Sequence, residues 1–356
     1  MSARPASRPP VPPQDASATG MFREAAQAAQ VVRDQLRTNE ALVADLATRL
    51  RRDPPRLVTT LGRGSSDHAA TYARYLIETR LGVVTASAPP SVSSVYDQSP
   101  DLKGALCIAI SQSGKSPDLL AAAEASASAG ALLVAMVNVA DSPLAELADV
   151  VIPLAAGPER SVAATKSYIA ALAAAAQLTA AWADDAALQA AIARLPDDLD
   201  TAWAQDWSAA MPALLGATNL YTLGRGPGFG VAQEAALKFK ETCGLHAEAF
   251  SAAEVRHGPM ALVGPGFPVI AFVQDDETRD GVEAVIRACA DQGAAAMKAG
   301  GRPIAGVLDL PTVETHPALQ PIVQVQTFYR LAANLAVARG FDPDRPPHLA
   351  KVTETR

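Results

Sequence analysis

One stretch of the chain occurs twice, and this limits the possible folds more than any other feature. Val58-Thr59-Thr60-Leu61-Gly62-Arg63-Gly64 returns as Leu220-Tyr221-Thr222-Leu223-Gly224-Arg225-Gly226. A second apolar run, Leu106-Cys107-Ile108-Ala109-Ile110, returns at the same offset as Pro268-Val269-Ile270-Ala271-Phe272. Such short, apolar, β-rich runs read as buried strands, and those of the first copy are each followed by a turn and a helical pattern. The period is too long for a solenoid, so the repeat reads as two copies of one domain. Strands alternating with helices give a parallel sheet with helices on both faces. The expected fold is therefore α/β, two tandem doubly wound domains with ligands at the C-terminal ends of the strands. With 356 residues, 49% of them apolar, the chain can bury two cores of ordinary size.

Bulk properties exclude several partners. The net charge is −7 and no Lys/Arg-rich run occurs, so neither nucleic acid nor an anionic membrane is expected to bind. An anionic ligand would have to be held locally, by backbone amides and hydroxyls. Cys107, Cys243 and Cys289 are too widely spaced for a disulfide framework or a metal site, and such usage suggests a reducing cytoplasm. No apolar run reaches the roughly 18 residues of a membrane span; Ile169 to Ala181 is Ala-rich and short. Residues 1–20 are rich in Pro, Ser and Ala and lack the apolar core of a signal peptide. They are expected to be a disordered tail, followed by a first domain over 21–195. A second domain over 196–340 and an extended C-terminal tail over 341–356 complete the expected organisation.

The first copy carries two candidate anion sites. Gly62-Arg63-Gly64-Ser65-Ser66 follows one strand and opens a helix from about Asp67 to Thr79, the local form of an anion-binding βα junction. By itself this Gly-x-Gly is a weak signal. Ser111-Gln112-Ser113-Gly114-Lys115-Ser116-Pro117 follows the next strand. Pro117 suits the first helical turn and Ser116 the cap position. Any one of these serines also fits an ordinary capped turn; the density of hydroxyls favours a phosphate cradle. The second copy has Val273-Gln274-Asp275-Asp276 in that place, and two acidic groups repel phosphate.

The second copy carries the acid/base candidates. Gln233 to Thr242 reads as a helix ended by Gly244. Glu234, Lys238 and Glu241 share one of its faces. For Glu234 and Lys240 a solvated surface is the expectation. Glu241 is the candidate proton carrier, because His246, Glu248, Glu254 and His257 follow at once. A carboxylate and an imidazole brought together are suited to moving protons at neutral pH.

Three segments here, Leu237-Lys238-Phe239-Lys240-Glu241, His246-Ala247-Glu248-Ala249 and Glu254-Val255-Arg256-His257-Gly258-Pro259, make a long match to one family. The chain resembles the isomerase half of glucosamine-6-phosphate synthase and its relatives among the double sugar-isomerase (SIS) domain proteins. Ser111 to Ser116 is similar to that family's Ser-Gln-Ser-Gly-x-Ser/Thr phosphate loop. Val162-Ala163-Ala164-Thr165-Lys166 resembles its Val-Ala-Ser-Thr-Lys, with Ala164 replacing a serine whose hydroxyl would face the sugar. Leu349-Ala350-Lys351 matches the end of its Asn-Leu-Ala-Lys, with His348 replacing the asparagine. The resemblance covers Met21 to the C-terminus.

The resemblance implies a hexose 6-phosphate substrate and proton transfer of the aldose–ketose type. By it, Ser65, Ser66, Ser111, Gln112, Ser113 and Ser116 bind phosphate and sugar, and Val162 adds backbone contacts. Glu241 would shuttle the proton between C1 and C2 close to Lys238, and Lys351 would meet the open-chain carbonyl. His257 would assist ring opening from the neighbouring subunit of a homodimer. No metal and no cofactor are implied. The synthase's glutaminase domain, which begins with a nucleophilic cysteine, has no counterpart here; residue 2 is Ser, so glutamine is not expected as nitrogen source. Isomerising an amino sugar and losing the C2 imine to water gives ketose phosphate and ammonia. The expectation is thus a cytoplasmic SIS-type glucosamine-6-phosphate deaminase yielding fructose 6-phosphate. The alternatives are a relative acting on galactosamine-6-phosphate or fructosamine phosphate, or an ammonia-using isomerase form of glutamine–fructose-6-phosphate aminotransferase. A non-catalytic sugar-phosphate sensor would not need Glu241, His257 and Lys351 together.

Overall fold

The computed structural model describes residues 15–351. Its frame is a pair of five-stranded sheets, parallel throughout. The first holds β1 (Val58–Leu61), β2 (Thr85–Ser87), β3 (Leu106–Ser111), β4 (Leu132–Val137) and β5 (Val150–Pro153), in the order β2-β1-β3-β4-β5. The second holds β6 (Asn219–Gly224), β7 (His246–Ser251), β8 (Pro268–Phe272), β9 (Ala295–Ala299) and β10 (Leu308–Leu310). Its order, β10-β9-β8-β6-β7, is the same topology read from the other edge. Register is repeated too: Thr59 pairs with Cys107, and Tyr221 with Val269, at the duplicated positions. The repeat in the sequence is therefore a repeat of strand order and of pairing.

Side-chain alternation explains how the two sheets share material. Leu106, Ile108 and Ile110 of β3 point into one large core, together with Ile270 and Phe272 of β8. Cys107 and Ala109 point the opposite way, into a core of the first half alone. Val269 and Ala271 do the same for the second half. β3 and β8 are buried on both faces, as parallel strands covered by helices must be. The common core is filled by helices of both halves, among them Lys166–Trp182, Gly228–Cys243 and Gln320–Ala338.

The structure changes several expectations. Folded chain begins before Met21: the Asp15 carboxylate caps a turn at Ala16–Ala18, and Thr19 and Met21 are buried. The rest of the expected tail, residues 1–14, lies outside the described residues, as do 352–356. The expected boundary at 195/196 falls inside the helix Ala186–Ala204. His246 to Ser251, which carries part of the expected acid/base cluster, is the edge strand β7, paired only with β6. No helix among the described residues is long and apolar enough to cross a membrane.

The halves meet where helix Gly228–Cys243 crosses helix Ser65–Leu81. A Cβ on Gly230 would lie 2.6 Å from the His68 carbonyl oxygen and 3.1 Å from the Tyr72 amide nitrogen. Those are backbone atoms, so they cannot swing aside. Gly230→Ala is expected to push the helices apart and to destabilise the protein by about 1–3 kcal/mol, the usual effect of overpacking. A urea midpoint equal to wild type would show that the crossing tolerates a methyl group.

Candidate active site

Lys238 is the least expected charge in the molecule, because its side chain is only 1% exposed. Its Nζ lies 3.2 Å from Glu234 Oε1, one turn back, and 2.6 Å from Glu241 Oε2, one turn on. It also donates to Ser65 Oγ at 3.2 Å. The spacing of the three residues along one helix face produces this arrangement directly. Glu234, expected at a solvated surface, is fully buried. Lys240 is exposed, as expected.

Glu234 is held from two other helices, Ser65–Leu81 and Gln320–Ala338. Ser65 Oγ donates to its Oε1 at 3.1 Å and the Tyr329 hydroxyl at 3.0 Å. His68 Nδ1 lies 3.1 Å from its Oε2. A carboxylate only accepts, so Nδ1 is the protonated nitrogen of that ring. Burial works to raise the Glu234 carboxyl; the Lys238 charge, then the bonds from His68 and Ser65, outweigh it and hold the group below the usual range. For Lys238 burial works against the charge, and Glu234 and Glu241 outweigh it, so the ammonium is held above its ordinary value. Burial, then the neighbouring Glu234, push the Tyr329 phenol well up, so it remains a donor. Of the two carboxylates and the ammonium only Glu241 reaches solvent, with 18% of its side chain exposed; His68 is exposed to 17%. Glu241 borders a cavity of about 350 Å³ whose other walls include Leu237, Phe341, Pro347 and Leu349.

The serine-rich loop sits at the end of β3, beside the Gly62–Ser66 turn at the end of β1. Arg63 ties the two: its Nε and its terminal amino group each lie 2.8 Å from Oδ2 of the buried Asp118, on the helix Pro117–Ser128. Ser111 Oγ accepts the Gly114 N–H at 2.9 Å, and Ser113 Oγ accepts the Lys115 N–H at 3.3 Å. Both hydroxyl protons remain available to an anion. Ser116 occupies the N-cap of that helix with no capping bond from its side chain, so its hydroxyl too is free. Gly114 is at φ +63°, and a Cβ there would fall 2.2 Å from Ser142 Oγ; only glycine fits. Ser66 and Gln112 are half-buried on the same rim.

The third part is the segment 158–165 with the C-terminal tail. Glu159, fully buried, accepts from Thr165 N (3.0 Å), Ser167 N (3.2 Å) and Ser167 Oγ (2.6 Å). It thereby caps the helix Lys166–Trp182 from outside, where an anion is favoured. Lys351 Nζ reaches Glu159 Oε2 at 3.2 Å and the Ser161 carbonyl at 2.7 Å, which places it beside Val162. Val162 and Ala164 are half-buried.

His257 is not brought to these groups: it ends the turn Glu254–His257, exposed, as are His246, Glu248 and Glu254. The imidazole that meets the carboxylates is His68, from the first half. Neither it nor Tyr329 and Glu159 were marked by the sequence. His68 follows Ser65 by one helical turn, which was the available hint.

A duplicated doubly wound fold with a serine-rich phosphate-type loop on one copy and a carboxylate–ammonium string on the other defines a class. The SIS domain profile matches residues 54–181 and 213–297, and the chain belongs to the SIS domain family. The glutamine–fructose-6-phosphate aminotransferase (isomerizing) of Aeropyrum pernix is 35% identical over 319 residues, covering 82% of this chain and 50% of that protein. Its namesake from Zymomonas mobilis is 32% identical over 355 residues, 93% of this chain and 57% of that one. The chain thus spans about half the length of the curated relatives it matches. Among solved structures, a candidate phosphosugar isomerase from Silicibacter pomeroyi DSS-3 has 42% identity and a TM-score of 0.88, covering 92% of this chain and all 100% of that one. A glucosamine-6-phosphate deaminase from Thermotoga maritima shares the fold, with a TM-score of 0.74 at 22% identity over 95% of this chain and 100% of that one.

Glu234 generates a pH-dependent expectation. Its folded-state value lies below the ordinary 4.5, so the unfolded chain binds that proton first and stability falls as pH falls. Glu234→Gln is expected to cost about 3–5 kcal/mol near neutral pH, since it leaves a buried ammonium short of a partner. The difference in urea midpoint between the variant and wild type is expected to narrow as pH falls through the ordinary 4.5 and below it. A difference that stays constant over that range would show that Glu234 is not the ionised partner of Lys238.

Proposed function

We propose that the chain is a sugar-phosphate isomerase working on an amino sugar, a glucosamine-6-phosphate deaminase that forms fructose 6-phosphate and ammonia. The observation that carries this reading is the position of Glu241: its carboxylate is bonded to a buried ammonium at 2.6 Å and opens onto a cavity walled by the tail. Phosphate is held by the hydroxyls of Ser111, Ser113 and Ser116 with Ser65, Ser66 and Gln112 beside them. Backbone groups around Val162 orient the sugar. Glu241 takes the proton from C2 and returns it to C1, a transfer one positioned carboxylate performs in both directions. Lys238 remains charged throughout because Glu234 balances it, and it stabilises the C1 oxygen, which gains charge as the proton leaves C2. Lys351 addresses the open-chain carbonyl. Water then releases ammonia from the C2 imine.

The three cysteines offer no nucleophile of their own. Cys107, Cys243 and Cys289 are all buried. Burial pushes the Cys243 thiol up to about 12 and the Cys289 thiol to about 11, and that of Cys107 upward as well. None has the thiolate character that a nucleophile attacking glutamine needs. His257, exposed on its turn, is free to serve the ring oxygen in a second copy's site, which makes a homodimer the working unit of this reading.

Wild-type protein is expected to release ammonia from glucosamine-6-phosphate without glutamine, metal or nucleotide. Glu241→Gln is expected to keep substrate binding while turnover falls by about 10²–10⁴-fold, the usual worth of a positioned acid/base group. Exchange of solvent deuterium into C1 of the product should fall with it. A variant that exchanges and turns over like wild type would remove Glu241 from the chemistry. An ammonia assay across glucosamine, galactosamine and fructosamine phosphates identifies the sugar.

Mixing inactive Glu241→Gln and inactive His257→Ala chains tests the shared site. One of the two hybrid sites then holds both groups, so partial recovery of activity is expected. No recovery after verified subunit exchange would place each site within one chain.

A further inference from the structure

Ser161 is buried, and the two ends of the chain use all of its polar groups. Its N–H donates to Glu24 Oε2 at 3.2 Å, on the helix Gly20–Ala25. Its hydroxyl donates to Asp344 Oδ1 at 3.2 Å, in the tail. Its carbonyl accepts from Lys351 Nζ at 2.7 Å. The adjoining Arg160 N–H donates to Glu24 Oε1 at 2.6 Å. The next residue is Val162, in the segment assigned to the sugar.

Asp344 closes the arrangement from the other side. Its Oδ2 accepts the Gly20 N–H at 2.6 Å and its Oδ1 the Met21 N–H at 2.7 Å. Gly20 leaves no room for a side chain: a Cβ there would lie 2.8 Å from Ser161 Oγ and 3.2 Å from both Asp344 carboxylate oxygens. The N-terminal segment that makes these contacts is itself anchored. Met21 is wholly buried, Phe22 packs edge-on against Trp203 at 4.8 Å, and Gln326 Nε2 bonds the Ala25 carbonyl at 3.0 Å.

We infer that Gly20, Ser161 and Asp344 form a clamp through which the N-terminal segment positions Lys351 and the sugar segment. These are positioning residues, since none of the three is assigned to the substrate itself. The tail beyond Arg339 has no helix or strand of its own among the described residues. Its geometry near the site must therefore come from side-chain contacts, and Asp344 supplies three of them, to Gly20, Met21 and Ser161. A lysine that is to reach a carbonyl carbon needs placement to within a fraction of an ångström, and a displacement of about 1 Å can cost about 100-fold in rate. This role rests on the proposed function for its catalytic consequence, and on the contacts alone for its structural one.

The test uses the full-length chain with Ser161→Ala, Gly20→Ala and Asp344→Asn. Ser161→Ala removes one hydroxyl and is the mildest; Gly20→Ala fills the clamp; Asp344→Asn puts an amide N–H₂ against backbone donors. Two readouts are needed. The first is hydrogen–deuterium exchange of 342–351 and of 159–163, with the sheets as internal reference. Faster exchange confined to those two segments is expected, in the order Ser161→Ala below the other two. The second is borohydride trapping with fructose 6-phosphate, in which Lys351 Nζ bonds C2, water leaves and hydride from borohydride reduces the C=N bond. The trapped adduct and kcat are each expected to fall by about 10–100-fold, with affinity for inorganic phosphate within about twofold, since the clamp does not touch the serine loop. Unchanged exchange in all three variants overturns the clamp, whatever the activity. If wild type itself forms no adduct and no ammonia, the proposed function has failed; the exchange measurement then still decides the clamp.

Discussion

A buried ammonium is the constraint around which the rest of this structure is arranged. Removing the charge of Lys238 from water is costly unless paired carboxylates and hydrogen bonds replace the lost solvation. Glu241 supplies one carboxylate and Glu234 the other. But Glu234 is deeper still, so it in turn needs donors. These arrive as Ser65 and His68 from the first half and Tyr329 from the last long helix. One lysine thus fixes the relative placement of three helices from distant parts of the chain. A network of this kind, fully satisfied, specifies a single arrangement; partly satisfied, it would be worse than an apolar core.

The same duplicated frame carries different chemistry in its two copies, and the reason is visible at equivalent positions. In the first copy Arg63 pairs with the buried Asp118, steadying the turn beside the serine loop. In the second, Asp280 stands where Asp118 would, but it is engaged by Arg302 and Arg279. In the second copy the corresponding turn is filled by its own contacts. Asp276 accepts the Thr278 N–H at 2.8 Å and the Thr278 hydroxyl at 2.5 Å. An internal carboxylate already satisfies the donors a phosphate would use.

How much of this the sequence discloses depends on the range over which each feature is encoded. The strands β1, β3, β6 and β8 are legible because apolar runs and a repeat at constant offset agree. The strand β7 is not, since His246, Glu248 and Ser251 interrupt the apolar pattern on an edge that needs only one partner. The helix face bearing Glu234, Lys238 and Glu241 follows from spacing. Spacing cannot say what covers that face, and for this reason Glu234 read as solvated. The covering residue His68 lies 166 positions away, and no local pattern reports such a contact. The serine loop was legible as a whole, yet the sequence did not tell which hydroxyls are spent on the loop. Ser111 and Ser113 accept from its backbone, whereas Ser116 does not cap its helix.

These contacts also bear on how the halves depend on each other. Ile108 and Ile110 of one sheet share an apolar core with Ile270 and Phe272 of the other, so parting the halves would expose it. The polar network adds a sharper requirement. Without Ser65 and His68, Glu234 would retain Lys238 and the Tyr329 hydroxyl but lose two of its four side-chain donors. A cavity of unpaired lone pairs would then have to take in water. The Gly230 crossing allows the approach that prevents this, because its missing Cβ lets two backbones touch. A glycine at a helix crossing, a buried lysine and a histidine from the opposite half are therefore parts of one solution. The close crossing brings the donors, the donors keep Glu234 ionised, and ionised Glu234 balances Lys238. Of the two carboxylates that pair with Lys238, Glu241 is then the one that reaches solvent.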